Sequence, residues 1–369
     1  MSSFLLVDIG AGTMDILYYD ESHPQHYKAV VQSPVQSIAN KIQKYPGDLL
    51  LTGVEMGGGP ITGVLKRRAV HHKVAISVSA AATLNHDLEK VASWGIKVLD
   101  DRAADDLKAD NIDSHVYLAD LDIDKLERLV KGFGMPFSFD AVAVCAQDHG
   151  VPPQGVSHLD YRHNMFAGLL DKDPSLHVLM YEKNEIPDNL SRLKAIAETA
   201  SGIPAKEVYV MDSGMAAILG ASMDHAATAK EKIMILDVAT SHTLGAALVK
   251  GELAGFFEYH TSDITPERLE SLIKDLAEGT LGHEQILAEG GHGAYTRKRV
   301  GFKELEAIIA TGPKRNIIAA TKLDITWGAP MGDNMMTGTV GLLEAIRRRK
   351  GLDPANSLHK PPAQPVRIK

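Results

Sequence analysis

The sequence predicts an α/β protein built from two related lobes. Its 369 residues exceed the usual size of a single domain, since about 150 residues per domain is typical. Short apolar segments alternate with segments of helical spacing along the chain. Residues 5–9 and 234–238 share one pattern, an apolar strand that ends in aspartate and is followed by small residues with threonine and a second strand. A repeat at half the chain length indicates a duplicated lobe, because solenoid proteins repeat every ~20–50 residues.

The first half of the chain starts with strands and then alternates between helices and strands. Residues 4–9 form a short apolar segment that stops at a turn containing Gly10 and Gly12, as expected for a β-hairpin. The same patterns predict strands over residues 14–19, 28–32, 49–51, 74–78 and 140–146, and helices over residues 79–92, 122–131 and 190–200. The polar, Pro-containing segment 151–160 predicts a loop or a crossing between subdomains.

The second half contains further strands and ends in a helix. Strands are predicted over residues 207–211, 232–236, 243–249 and 252–258, and a helix over residues 338–349. Prolines beyond residue 353 exclude regular structure there: Pro354, Pro361, Pro362 and Pro365. We therefore expect a first lobe over residues 1–205 with an inserted subdomain, a second lobe over residues 206–350, and a flexible, basic, Pro-rich tail over residues 351–369.

Composition excludes several classes of function. The net charge of −8 argues against a broad nucleic-acid interface, which needs many cations on one face. Cys145 is the only cysteine, so one chain can form neither an internal disulfide nor an iron–sulfur cluster. No signal peptide precedes Asp8, and no apolar run reaches the roughly 18 residues of a membrane helix. These features predict a cytoplasmic protein that binds neither nucleic acid nor membranes.

The turn that follows the first strand has the residues of a phosphate-binding hairpin. Gly10 and Gly12 let backbone N–H groups approach an anion closely, and Thr13 adds a hydroxyl donor. Asp8, at the strand end, is placed to hold Mg²⁺ through water, and Asp15 could be a second carboxylate of the outer shell. The alternative is a Gly-rich hairpin with a capping aspartate and no ligand.

Five segments together resemble the actin-like ATPases, a superfamily that includes sugar kinases, large heat-shock chaperones and bacterial actin homologues. In chain order they are residues 8–13, 210–220, 237–243, 308–315 and 336–343. The resemblance implies a duplicated, two-lobe, ribonuclease H-like fold with mixed sheets flanked by helices, and ATP with Mg²⁺ in the cleft. More narrowly, the chain is similar to a branch sometimes labelled a pyruvate formate-lyase activating enzyme. A radical enzyme of that kind needs three cluster-binding cysteines, and this chain has one.

The resemblance also implies roles for individual residues. Asp8 and Asp237 would position Mg²⁺ through water, and Asp212 would orient the attacking water or the substrate hydroxyl. The remaining nucleotide contacts would come from both hairpins and the adenosine side: Gly10, Gly12, Thr13, Asp15, Thr240, His242, Thr243, Gly312, Pro313 and Gly338. Catalysis would then come mostly from positioning and charge neutralisation.

The second hairpin departs from the superfamily pattern. Ala239 and Ser241 stand where glycines are usual, and a Cβ at either position limits how closely the backbone can approach a phosphate. This departure favours an alternative to an ATPase or a small-molecule kinase of unknown acceptor. The alternative is a non-enzymatic, nucleotide-sensing partner or assembly protein.

A polar group follows the predicted strand over residues 140–146. Asp148 and His149 lie in a Gln-Asp-His-Gly run that is similar to one beside the sugar in some sugar kinases, where a carboxylate and an imidazole could act as acid and base. The alternative is a strand-end turn with satisfied side chains.

The 16 histidines raise the question of a transition-metal site. Five of them lie near Gly, Thr or acidic residues: His149, His242, His260, His283 and His292. None shows a tight metal spacing such as a helical i, i+4 pair. The sequence therefore leaves a transition metal as the less favoured interpretation.

A loop at Gly57, Gly58 and Gly59 opens a predicted helix and could bind an anion, or could be a simple N-cap turn.

Overall fold

The computed structural model describes residues 2–23, 25–110, 114–153 and 155–355. The strands are β1 (Ser3–Ile9), β2 (Thr13–Asp20), β3 (Tyr27–Gln32), β4 (Leu49–Gly53), β5 (Val74–Ser77), β6 (Ile96–Leu99), β7 (His115–Leu118), β8 (Phe139–Ala146), β9 (Met180–Glu182), β10 (Ala205–Asp212), β11 (Lys232–Val238), β12 (His242–Val249), β13 (Glu252–His260), β14 (Gly293–Thr296), β15 (Ala307–Thr311) and β16 (Ile325–Trp327). The helices are α1 (Pro34–Lys44), α2 (Gly59–Ala69), α3 (Val78–Ala81), α4 (Leu88–Ser93), α5 (Asp101–Asp110), α6 (Ile123–Gly132), α7 (His158–Leu170), α8 (Ser191–Ala200), α9 (Ser213–Ala221), α10 (Pro266–Glu278), α11 (His283–Ala288) and α12 (Thr337–Arg349).

Two six-stranded sheets carry the predicted duplication. Their strand orders are β3-β2-β1-β8-β10-β9 and β14-β13-β12-β11-β15-β16. In each sheet the first three strands of the repeat form an antiparallel meander, and its fourth strand joins parallel to the first. The shared order of the five repeated strands, 3-2-1-4-5, is the ribonuclease H-like topology that the sequence predicted. The duplicated two-lobe α/β fold is therefore confirmed.

Two helices form the layer between these sheets. Side chains of α9 and α12 share one hydrophobic core with residues of both sheets, such as Leu6 and Ile235. The outer face of the first sheet packs against α6 and α8, and that of the second packs against α10 and α11. Both sheets pack against the same helix pair. The ends of β1 and β11 lie close together, since Asp8 and Asp237 line one cavity.

An inserted unit leaves the first sheet after β3. Its four strands are all parallel, in the order β6-β5-β4-β7, and have a hydrophobic core of their own with α1, α2 and α4. The insertion brings the loop between β4 and α2 towards the ends of β1 and β8.

The predicted lobe boundary at residue 205 falls at the start of β10. That strand pairs with β8 and belongs to the first sheet, so the strands of the first sheet extend to Asp212. The predicted tail lies mostly outside the described residues, since these end at residue 355. Among the described residues, no helix combines the length and apolar character needed to cross a membrane.

One helix prediction and one loop prediction differ from the structure. The predicted helix over residues 79–92 is two short helices, because Ser77 caps α3 and Asp87 caps the separate helix α4. The polar segment 151–160 is a loop only up to residue 157. Ser157 then caps α7, a 13-residue helix whose start the sequence patterns did not reveal.

Candidate functional site

A cavity of about 520 Å³ lies between the two hairpins. Gly10 and Thr13 line it from the β1–β2 turn, and Thr240 and His242 from the β11–β12 turn. A Cβ on Gly12 would stand 3.0 Å from the Thr240 hydroxyl, so the two turns face each other at close range. The duplicated topology therefore produces one shared cavity, of a size typical for small-molecule sites.

Three carboxylates meet at the strand ends in this cavity. Burial raises the pKa of Asp8 to about 7, helped by the charges of Asp237 and Asp212. Burial likewise raises the pKa of Asp15 to about 8, with Asp8 as the strongest neighbouring charge. The pKa of Asp237 is raised to about 6 by burial, against a hydrogen bond that its Oδ1 accepts from Thr311. The group is thus under mutual repulsion when ionised.

The carboxylate group fits a divalent cation. The Oδ1 atoms of Asp8 and Asp15 are buried and have no hydrogen-bond partner among the described residues. Mg²⁺ takes oxygen ligands and keeps several of its waters, which can bridge to such unpaired oxygens. Orphaned carboxylate oxygens of this kind are otherwise costly in a folded protein.

Stability should fall with rising pH when no divalent cation is present. A carboxyl group whose pKa is raised on folding stabilises the fold below its unfolded pKa of about 4, and this contribution is lost as the pH rises through the folded value. We expect Asp15→Asn to stabilise the protein more at pH 8 than at pH 5, by on the order of 1–3 kcal/mol. Chemical denaturation in a chelating buffer at both pH values measures this effect. The same change at exposed Asp105 is the control, and equal gains at both pH values would contradict the prediction.

Asp212 lies behind the cavity wall, next to the lining residues Ser213 and Gly214. It is outside the lining of the cavity, and both of its oxygens are occupied. Oδ1 accepts the backbone N–H of Met215 and caps α9, and Oδ2 accepts from Arg162 at 2.8 Å. Each oxygen of Asp212 thus accepts one hydrogen bond from the protein itself, and its catalytic role stays a prediction.

Arg162 joins the two lobes beneath the cavity. It projects from α7 and donates to Asp212 of the first sheet and to Glu258 of the second, at 2.8 and 2.6 Å. All three side chains are buried. Neither Arg162 nor Glu258 was identified from the sequence. Arg162 gave no signal because α7 was not predicted, whereas a glutamate at the end of the apolar run in β13 was a signal that could have been used.

Asp148 and His149 both line the cavity but differ in what they can do. The oxygens of Asp148 accept the backbone N–H groups of Gly150 and Leu193, at 2.8 and 3.0 Å, so this carboxylate fixes the turn and the start of α8. The Nδ1 atom of His149 is buried with no hydrogen-bond partner among the described residues. Burial and the nearby charge of Arg162 lower the pKa of His149 to about 3, so the imidazole is neutral. Of the two side chains, only His149 has a polar atom that the protein leaves unpaired.

Some of the other residues predicted to contact the nucleotide line the cavity, and the rest lie in the layer behind it. Asp15 and Pro313 line the cavity. Thr243 is fully buried, and its hydroxyl hydrogen-bonds with that of Thr261, so it cannot reach a phosphate. Gly312 and Gly338 lie behind the lining: a Cβ on Gly338 would stand 2.1 Å from Asp8 Oδ2, so this glycine lets α12 pack against the carboxylate.

Charged side chains from the inserted unit and from α8 also line the cavity. Glu55 and His86 form an ion pair at 3.0 Å, and Arg192 binds the buried carboxylate of Asp120. Glu55, His86 and Arg192 line the cavity and were not identified from the sequence. Glu55 and His86 come from two loops of the insertion and Arg192 comes from α8, so only the folded chain brings them together.

The glycine loop before α2 also lines the cavity. Its Met56 and Gly57 N–H groups donate to Thr83 and Asp120, at 3.1 and 3.3 Å. A Cβ on Gly58 would stand 1.8 Å from the carbonyl oxygen of Thr83. Close packing therefore accounts for this loop, as in the alternative to anion binding.

Three histidines group beside the second hairpin. The rings of His242, His260 and His292 have centroid separations of 4.3–5.0 Å. Burial lowers the pKa of His242 to about 4, so its imidazole is neutral at physiological pH. His292 Nδ1 lies 3.1 Å from Glu258 Oε1. The sequence placed these histidines near small residues but gave no sign that the three would meet.

Solved structures with some similarity of fold come from several sources. The inorganic polyphosphate/ATP-glucomannokinase from Arthrobacter sp. strain KM has 12% identity and a TM-score of 0.38, with 95% of this chain and 100% of that chain covered. The ROK hexokinase from Thermus thermophilus has 14% identity and a TM-score of 0.29, with 95% and 91% covered. The activator of the 2-hydroxyisocaproyl-CoA dehydratase from Clostridium difficile has 8% identity and a TM-score of 0.33, with 95% and 98% covered.

The sequence itself identifies the family. No curated protein matches the chain. A family model described as "Putative pyruvate format-lyase activating enzyme (DUF1786)" matches residues 56–317, a span that includes most of the insertion, the histidine group and the second hairpin. Since this span is well over half of the 369 residues, the chain belongs to the DUF1786 family.

Proposed function

We propose that the protein binds ATP with Mg²⁺ in the cavity between its two hairpins and transfers the terminal phosphoryl group to a small polar acceptor or to water. The observation that carries this proposal is the pair of turns that face each other across one cavity, with three carboxylates at its base. Backbone groups of the two turns are suited to hold phosphates, since loops of small residues present N–H groups to anions.

The carboxylates and their support would hold the metal ion. Asp8, Asp15 and Asp237 are the side chains suited to bind Mg²⁺ through its waters. When bound, Mg²⁺ would neutralise phosphate charge and fix the position of the phosphates. Gly338 keeps Asp8 in place by letting α12 approach its carboxylate. The Thr13 hydroxyl donates to Asp15 Oδ2 at 3.4 Å and so orients the second carboxylate.

Different lining residues suit the adenosine of ATP and the phosphoryl acceptor. Pro313, which the resemblance places on the adenosine side, lines the cavity together with Asn334 and Met335. His149 also lines the cavity, and its imidazole is neutral with an Nδ1 atom that has no partner among the described residues. An acceptor hydroxyl seated against His149 would donate a hydrogen bond to the imidazole, which would orient it for the transfer.

A second candidate function is nucleotide binding without turnover. Two of the three predicted catalytic groups, Asp212 and Asp148, have both carboxylate oxygens engaged within the protein. Ala239 and Ser241 add side chains to the second hairpin, which limits close contact with phosphates. Such a protein would report nucleotide state to a partner. Phosphate release from ATP by the purified chain would favour the enzyme, and tight binding without release would favour the sensor.

Calorimetry tests the nucleotide site directly. We expect heat on titration of Mg²⁺–ATP into the wild-type protein, and roughly tenfold or greater weakening in Asp8→Ala because a metal-holding carboxylate is lost. Asp105→Ala, a change on the exposed face of α5, should bind as the wild type does. Circular dichroism of each variant verifies folding. Absence of heat with the wild type, or unchanged affinity in Asp8→Ala, would remove the basis of the proposal.

A further inference from the structure

Three histidines meet where the ends of β12, β13 and β14 lie side by side in the second sheet. His242 is the first residue of β12 and pairs across the strands with His260, the last residue of β13. Side chains of directly opposed residues in antiparallel strands lie on the same face of the sheet. His292 immediately precedes β14, the next strand of the sheet, and its ring lies over both of the others. One nitrogen from each ring lies within 4.8 Å of the other two.

The protein leaves ring nitrogens of this group without another use. Among the described residues, neither the His242 ring nor the His260 ring has a hydrogen-bond partner. Three imidazoles whose nitrogens approach one another in this way have lone pairs suited to a shared cation. All three side chains are only partly buried, so an ion from solvent has access to them.

Glu258 fixes the third ring. Its Oε1 lies 3.1 Å from His292 Nδ1, and its backbone carbonyl accepts the His292 N–H at 2.9 Å. Arg162 and Gln147 donate hydrogen bonds to the same carboxylate and so fix its orientation. Nδ1 of His292 thus donates to a carboxylate and Nε2 is left to bind a metal, which is the usual second-shell arrangement of histidine ligands.

We propose that His242, His260 and His292 bind one divalent transition-metal ion, for which Zn²⁺ is the best fit. Three imidazoles with a further position open to water or substrate are a common ligand set for zinc in reactive sites. His242 also lines the cavity, so the ion would lie beside the second hairpin. The site differs from the carboxylate group at Asp8, because imidazole selects transition metals whereas Mg²⁺ prefers oxygen.

A second group of candidate ligands is less suitable. His283 lies with Asp160 of α7 and with Glu284, and its two ring nitrogens already have partners. Nε2 lies 3.0 Å from Asp160, and Nδ1 accepts the backbone N–H of Ala294 at 3.3 Å. His283 therefore serves as a matched control for the proposed ligands.

Metal analysis of the full-length, untagged protein tests the proposal. After treatment with a chelator and removal of the chelator, the wild-type protein should take up one equivalent of Zn²⁺. One equivalent of Co²⁺ should give the visible absorption of a low-coordinate site, and Zn²⁺ should displace it. Uptake well below one equivalent, or Co²⁺ without this absorption, would overturn the proposal whatever the variants show.

Single substitutions locate the ion. His260→Ala, at a half-exposed strand end, should weaken Zn²⁺ binding by more than the roughly 10–100-fold that loss of an outer-shell partner costs. His292→Ala should have the same effect and abolish the Co²⁺ absorption. His283→Ala and Asp8→Asn should retain both the stoichiometry and the spectrum. Wild-type affinity in His260→Ala, or loss of the Co²⁺ spectrum in His283→Ala or Asp8→Asn, would place the ion elsewhere and refute the site. The stoichiometry does not depend on ATP binding, so this test is independent of the proposed nucleotide site.

Discussion

Replacement of Arg162 by alanine should destabilise the protein by about 3–5 kcal/mol, the usual cost of breaking a buried ion pair from one side. The guanidinium lies between the carboxylates of Asp212 and Glu258, and all three side chains are at most 6% exposed. Because the pair of carboxylates would remain buried without a counter-ion, their charges would repel each other. The contact joins strands of both lobes, so its loss should also make the position of one lobe relative to the other less fixed around the cavity.

Urea denaturation followed by circular dichroism measures this effect. Arg299→Ala is a matched control, because Arg299 pairs with Glu278 at the surface and exposed pairs contribute about 0–1 kcal/mol. A triple variant, Arg162→Met with Asp212→Asn and Glu258→Gln, removes all three charges and should recover most of the loss. A loss below about 1 kcal/mol in Arg162→Ala would show that the buried triad is not needed for stability.

Gly341→Ala should destabilise the protein by about 3 kcal/mol or more, since overpacking against backbone cannot relax by a side-chain rotation. Gly341 lies where α12 crosses α9, and an added Cβ would stand 1.8 Å from the carbonyl oxygen of Ala216. Gly220 has the reciprocal position on α9, where a Cβ would stand 1.8 Å from the Thr337 carbonyl oxygen. These two glycines set the distance between the helices that support both sheets.

The same substitution at Gly168 provides the control. Gly168 lies within α7 with nothing inside 4 Å of an added Cβ. Alanine there should be neutral or stabilise the protein by up to about 1 kcal/mol, because alanine favours the helix. Thermal unfolding of the two variants should therefore shift in opposite directions or differ widely. A small, equal shift in both would contradict the close helix crossing.

The duplicated fold could be read from local patterns. The apolar segments around Leu6 and Ile235 each end in aspartate and a turn, and these local features are enough to define a strand followed by a hairpin. Since the two segments are alike, they form equivalent strands of equivalent sheets. Asp8 and Asp237 then fall at equivalent strand ends, and this is why the sequence placed both in the proposed site.

Roles that depend on a distant partner were less predictable. Asp212 and Asp148 follow strands as catalytic carboxylates often do, but Arg162 and backbone N–H groups from later segments occupy their oxygens. Thr243 follows the second hairpin, yet strand alternation turns it into the core towards Thr261. A sequence shows which groups are present at a strand end, whereas their partners depend on the packing of other elements.

The sequence by itself thus determined the two lobes, the two hairpins and the carboxylates at their base, because these follow from short-range periodicity and turn chemistry. Only the tertiary structure decided which charged groups meet across the cavity. It also decided that His242, His260 and His292, from three chain segments, meet at the ends of adjacent strands. Such contacts arise from the pairing of strands far apart in the chain, and no local pattern of residues encodes that pairing.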